Sequence, residues 1–128
     1  MILCYNMLNK FKFSSVYNEI DDILSVYDLS KSVHEIFEFS EFLNISLDKM
    51  GCIVGLEIFD ASKFFEFQNP EVDFKKFFLK LTSVEVEQKQ FRGNWLLMLY
   101  LYSGDMLVKQ QLPPFRRNAY KSPLLCSC

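Results

Sequence analysis

The sequence predicts an α+β domain: a mostly antiparallel β-meander sheet carrying one amphipathic helix and a short helical turn. Three observations carry that expectation. Leu43, Ile45 and Leu47, then Val54, Leu56 and Ile58, alternate with residues of the opposite face, the period-two pattern of strands with one buried side. Phe74, Phe77, Phe78 and Leu81 recur at i, i+3, i+4 and i+7, a single helical stripe. The chain has 128 residues, half of them hydrophobic, with a net charge of only −2, so it is long enough for one core and too apolar for disorder. Residues 1–128 are read as a single domain of about six to eight strands. The ends, 1–10 and 115–128, have no periodic pattern and are expected to be poorly ordered.

Taken in order, Phe11 to Val16 is extended, and the polar cluster Asn18-Glu19-Ile20-Asp21-Asp22 turns the chain into the β-rich run Ile23 to Tyr27. Val33 to Phe39 alternates as a strand. Leu43 to Leu47 and Cys52 to Phe59 form a hairpin closed by Asp48-Lys49-Met50-Gly51, with Gly51 in the left-handed position of a type I turn. Gly55 lies opposite the Val54/Leu56/Ile58 face and marks a bulge or a close approach by another element. Asp60 is expected to cap a helical turn over 61–66, packed on Phe64, Phe65 and Phe67. Asn69-Pro70-Glu71 predicts a helix over 70–81, with proline at its first position and Lys75, Lys76 and Lys80 late. Val84 to Glu87 returns to strand, Arg92-Gly93-Asn94 turns, and Trp95 to Tyr102 is eight apolar residues in a row, predicting a strand covered on both faces. Ser103-Gly104-Asp105 leads into Met106-Leu107-Val108, and Pro113-Pro114 ends that strand.

The near-neutral total conceals two halves. From Phe13 to Asp60 ten acids face only Lys31 and Lys49, a balance of −8, whereas from Ala61 onward ten bases face six acids, a balance of +4. Acidic and basic surfaces of this kind either stay apart as solvated faces or meet, within one fold or between copies. The cysteines Cys4, Cys52, Cys126 and Cys128 form no C-x-x-C pair, and His34 is the only histidine, so no zinc site is expected. No cofactor is expected either, since the sequence has no glycine-rich phosphate loop, H-E-x-x-H or nucleotide fingerprint. A core of this size needs no disulfide staple. No signal peptide or membrane span is evident, and the chain is read as cytoplasmic.

The run Gly51-Cys52-Ile53-Val54-Gly55-Leu56-Glu57-Ile58-Phe59-Asp60-Ala61-Ser62-Lys63 resembles a small prokaryotic domain family of unknown function, whose signature reads Gly-x-Ile/Val-Val-Gly-Ile-Glu-Ile-Leu-Asp-Ala-Ser-Lys. Members open with Tyr-Asp-x-Glu-x-Asp-x-Leu-Tyr-Ile. Here Tyr17, Asp22 and Leu24 agree, while Asn18, Ile20 and Ser25 replace an acid, an acid and a tyrosine. The resemblance covers roughly residues 11–67. It implies a small antiparallel β-domain ending in a short helix, in bacteria, archaea or their viruses, and singles out Gly51, Gly55, Glu57, Asp60 and Ser62. It implies no activity and carries over no catalytic residue. Some short members look like the antitoxin-type partner of a small ribonuclease-like toxin.

Candidate chemistry is sparse. Glu19, Asp21 and Asp22 are neighbours in a turn, better suited to solvating it than to converging on a cation. Glu57, among Ile53, Gly55 and Phe59, is the one carboxylate placed to act as a general base if it lies in a pocket. His34 has no recognisable nucleophile to serve. In the basic half Lys89, Arg92, Lys109, Arg116, Arg117 and Lys121 accompany Phe91, Trp95, Tyr100, Tyr102, Phe115 and Tyr120, a composition found where sheets stack single-stranded nucleic acid. The core needs most of those aromatics, and a pI near 5.4 stands against phosphate binding. The expectation is therefore a non-enzymatic interaction protein with protein rather than nucleic-acid partners. It should self-associate, because one helix cannot cover both faces of so apolar a sheet. Trp95, Leu97, Leu99 and Leu101 are the expected interface.

Overall fold

The computed structural model describes residues 10–92 and 94–116. The expectations for 1–9 and 117–128 lie outside these. Lys10, placed with the poorly ordered ends, begins a strand, and Phe115 and Arg116 form another. The strands are β1 (Lys10–Asn18), β2 (Ile23–Tyr27), β3 (Glu35–Ser40), β4 (Leu43–Leu47), β5 (Ile53–Phe59), β6 (Ser83–Phe91), β7 (Asn94–Ser103), β8 (Met106–Gln111) and β9 (Phe115–Arg116). Two short helices, α1 (Ala61–Glu66) and α2 (Phe74–Leu79), separate β5 from β6.

Every pairing is antiparallel, in the order β3-β4-β5-β2-β1-β6-β7-β8, with β9 on β7. The sheet is not a simple meander. The hairpin β1–β2 is inserted between two three-stranded meanders, so β5 pairs with β2 and β1 with β6. The strand β1 serves both halves in turn: Lys10–Phe13 pair with β6, and Ser14–Asn18 pair with β2. Phe13, buried at that handover, helps fuse the two inner faces into one core. Leu24, Val26, Ile45, Leu56 and Ile58 come from one half, and Val84, Val86, Leu97, Leu99 and Leu101 from the other. Burial of this alternating set is the main favourable term in folding.

The turns follow the predicted chemistry. Gly51 takes φ 82° and donates its N–H to the Asp48 carbonyl at 3.0 Å. The Asp48 carboxylate accepts from the N–H groups of Met50 and Cys52 at 2.9 and 3.0 Å. At Gly55 both readings hold. The β4–β5 register shifts at Ser46/Leu47, and a Cβ at Gly55 meets Ser46 Cβ and the Val26 carbonyl at 3.4 Å. Cys52, buried ahead of β5, is disulfide-bonded, a crosslink the size of the core did not call for.

The helical turn expected over 61–66 forms α1, and the helix expected over 70–81 is shortened to α2, Phe74–Leu79. The Asn69 N–H donates to the carbonyls of Phe65 and Glu66 at 3.2 Å, and its side-chain amide reaches Phe65 O at 3.4 Å. Asn69 therefore finishes α1 instead of capping the second helix. The next turn closes from Val72 N–H to Asn69 O at 3.2 Å, and α2 starts at Phe74 under Asp73, whose carboxylate accepts from Lys76 N–H at 3.4 Å. The predicted stripe survives the shift: Phe74, Phe77 and Phe78 are buried and Leu81 packs on the same core. Asp73→Ala is expected to lower stability by about 1 kcal/mol in a denaturant titration, the usual cost of a lost cap, whereas Asn69→Ala tests the end of α1 alone.

The strand expected to be central and covered on both faces, β7, is next to last in the order. Its burial alternates at first: Trp95, Leu97, Leu99 and Leu101 are inside, while Leu96 and Met98 are half-exposed.

Candidate functional site

The segments carrying the resemblance meet at the start of α1. Asp22, at the mouth of β2, accepts hydrogen bonds from Tyr17 Oη at 2.6 Å, Ser62 Oγ at 2.7 Å and Ser62 N–H at 3.1 Å. Its carbonyl accepts from Ala61 N–H at 2.9 Å. Asp22 thus caps a helix that begins 39 residues later in the chain. Asp60 does not provide the expected side-chain cap. It is left-handed, φ 50°, instead of the extended form a capping residue takes, and its carboxylate makes no capping bond. Asp22 is left-handed too, φ 56°. Two non-glycine residues in this region each cost about 1 kcal/mol or more, a cost the four bonds at Asp22 offset.

Burial acts to raise the Asp22 pKa, but the hydrogen bonds from Ser62 and Tyr17 outweigh it and hold the carboxyl below its ordinary value. The Tyr17 phenol is pushed well above its ordinary value, first by burial and then by its bond to Asp22. With three donors on Asp22, this is a satisfied structural joint between β1, β2 and α1. Asp21, its exposed neighbour, receives only Asn18 Nδ2 at 3.1 Å.

Glu57 is half-buried on the outer face of β5, paired across the strands with Ser25 and Asn44. Asn44 Nδ2 lies 3.5 Å from Glu57 Oε1. It lines neither the groove beside β8 nor the smaller cavities at Asp73 and at Asp28. His34 is exposed, its backbone N–H tied to Leu47 O at 2.7 Å. No group of three or more metal-ligating side chains occurs among the described residues.

Of the aromatic and basic residues of the second half, Arg117, Tyr120 and Lys121 lie outside the described residues. Trp95 is buried. Tyr100 donates to Glu87 at 2.5 Å and Tyr102 to Glu85 at 2.8 Å, so carboxylates occupy the face that nucleic acid would use. The bond to Glu87, with burial, pushes the Tyr100 phenol up to about 12. Lys10 Nζ sits 4.1 Å from the Tyr100 ring centroid and Lys109 Nζ 5.6 Å, cation–π contacts on the same face.

The four residues expected as an interface, Trp95, Leu97, Leu99 and Leu101, are 0–3% exposed and belong to the chain's own interior. Exposed apolar surface lies elsewhere. At one end of the sheet β3 presents Ile36, 62% exposed, and Phe37, 50% exposed, on opposite faces. Phe37 pairs with buried Ile45 and so lies on the core side, while Ile36 pairs with Ser46 outside. Among the described residues no strand pairs with the outer edge of β3, nor with that of β8 at the other end.

A groove of about 850 Å³ runs beside β8. One wall is Phe42, Phe64 and Phe67, with Asp60 and Lys63; the other is Lys109 to Pro114, with Met98. Phe42 and Phe64 stack at 6.4 Å, and Phe67 is 89% exposed. Gln110 lines the groove with its side chain buried and its Oε1 without a donor. The sequence held no local signal for this site, since α1 and β8 are brought together only by the fold. No protein-family model matches the chain, and no curated protein or solved structure is significantly similar to it. No helix among the described residues is long and apolar enough to cross a membrane.

Proposed function

We propose that this chain is a non-enzymatic interaction protein that associates with further copies of itself through the ends of its sheet. The observation that carries the reading is the outer edge of β3, with which no strand among the described residues pairs and where Ile36 and Phe37 stand exposed. Edge strands of monomers are ordinarily guarded by charge, proline or a bulge. The β8 side has Lys109 and Pro113-Pro114; β3 has Glu35, Glu38 and a register shift at Phe39, yet keeps two large apolar side chains in solvent. The satisfied state of Asp22 suits a structural joint and not a reacting carboxylate.

The double variant Ile36→Lys/Phe37→Lys tests this by light scattering at micromolar concentration. The unaltered chain is expected to exceed its 15.1 kDa monomer mass, and the variant to fall to it with an unchanged circular dichroism spectrum. Equal masses for the two proteins count against β3 as the contact.

A further inference from the structure

We infer that the contact is heterologous: β3 of one copy adds as a strand to the free edge of β8 of the next, entering the groove beside α1. This rests on the self-association proposed above and names its partner surface. Four observations lead to it.

The groove follows the strand edge. Successive residues of β8 point to opposite faces, yet Lys109, Gln110 and Gln111 all line it. Residues of both faces line one groove where it runs along the edge between them. That edge offers hydrogen bonds. The Leu112 N–H donates to Leu97 O at 2.9 Å, so by antiparallel alternation Gln110 points its backbone at β7, and Lys109 and Gln111 point theirs outward, the Gln111 carbonyl already accepting from Gln110 Nε2 at 3.0 Å and an incoming strand sharing or displacing that bond. Strand addition is how such edges recruit extended segments.

The directions also fit. Eight strands in unbroken antiparallel order make β3 and β8 run in opposite senses. A second copy set beside the first with its core face on the same side therefore brings β3 antiparallel to β8.

Charge and shape match as well. The strand β3 carries Glu35 and Glu38 and no base, while Lys63 and Lys109 face a single acid, Asp60, in the groove. Phe37 and Glu35 share the core face and meet Phe64, Phe67 and Lys63, whereas Ile36 and Glu38 share the outer face and meet Met98 and Lys109. The −8 and +4 halves of the chain thereby come into contact between copies. The alternative in which β3 pairs with β3 of a second copy brings four glutamates together and leaves the groove and the unpartnered Gln110 acceptor unused.

A heterologous contact predicts complementation, which a symmetric one forbids. The β3 variant Ile36→Lys/Phe37→Lys is mixed with a groove variant, and each is also weighed alone by light scattering. Phe67→Glu is the groove variant of choice, since its side chain is almost fully exposed and its loss leaves the core intact; Gln111→Pro, which removes an outward N–H, is the second. Each variant alone is expected to be monomeric, its self-affinity reduced at least about tenfold, the effect of losing one central contact. The equimolar mixture, with one intact β3 and one intact groove, is expected to form a species of twice 15.1 kDa. If both groove variants associate as the unaltered chain does while the β3 variant does not, self-association stands and the β8 contact is overturned. A monomeric unaltered chain overturns both, and a monomeric mixture of two folded variants overturns the heterologous pairing.

Discussion

Replacing Asp22 with alanine is expected to destabilise the chain by about 3 kcal/mol, since hydrogen bonds to a charged group contribute about 1.5–3 kcal/mol and their loss strands the donors. The stranded groups are Ser62 N–H, with Ser62 buried, and Tyr17 Oη. Against a total of about 5–15 kcal/mol this is a large share, corresponding to a fall in melting temperature of about 10 °C. Asp21→Ala, in the same turn and exposed, is the control and should stay within about 0.5 kcal/mol. The effect depends on pH with a definite sign. Because the folded carboxyl lies below its ordinary 3.8, the contribution of Asp22 is fully present above that pH and is lost as pH falls below it towards the folded value. The gap between the unaltered chain and Asp22→Ala in denaturant titrations should therefore be constant from pH 5 to 8 and narrow below about pH 4. A gap that persists unchanged at pH 2 contradicts the ionised clamp.

Phe65→Ala is expected to have the largest effect of any single truncation, about 3–5 kcal/mol. Phe65 is fully buried and joins the two helices, its ring 5.6 Å from Phe74, 5.2 Å from Phe78 and 5.4 Å from Phe64. Truncation removes the transfer free energy of the ring and leaves a cavity that three other aromatic rings cannot collapse into. Phe65→Leu should recover more than half of the loss. Phe67→Ala, two positions on and exposed, should change stability by less than about 0.5 kcal/mol, which separates the core role of Phe65 from the surface role of Phe67.

Local features were legible in the sequence and distant ones were not. The hairpin at Asp48–Gly51, the alternating faces of β4 and β5 and the Phe74/Phe77/Phe78 stripe depend on residues within a turn or two of each other, and periodicity reports them. The start of α2 was misread because Asn69-Pro70 has the composition of a helix start, while the fold uses Asn69 to close α1. Asp22 is a cap supplied across 40 residues, so nothing near Ser62 in sequence points to it. The run Trp95 to Tyr102 suggested cover on both sides of β7. Burial alternates from Trp95 to Met98, while Leu99, Tyr100 and Leu101 are all buried, with the Tyr100 and Tyr102 hydroxyls paired to Glu87 and Glu85 on the other face. The apolar residues expected at an interface on β7 lie inside, and the exposed apolar surface is on other elements. It lies at Ile36 and Phe37 on a sheet end and along a groove that only tertiary structure assembles.

If the sheet ends are the functional surface and the Asp22 joint is their structural support, association should continue beyond a pair. Sedimentation of the unaltered chain over a hundredfold range of micromolar concentration tests this most directly. A weight-average mass that climbs with concentration past twice 15.1 kDa is the predicted result, because each added copy leaves one β3 and one β8 edge open. A mass that stays at 15.1 kDa throughout contradicts it.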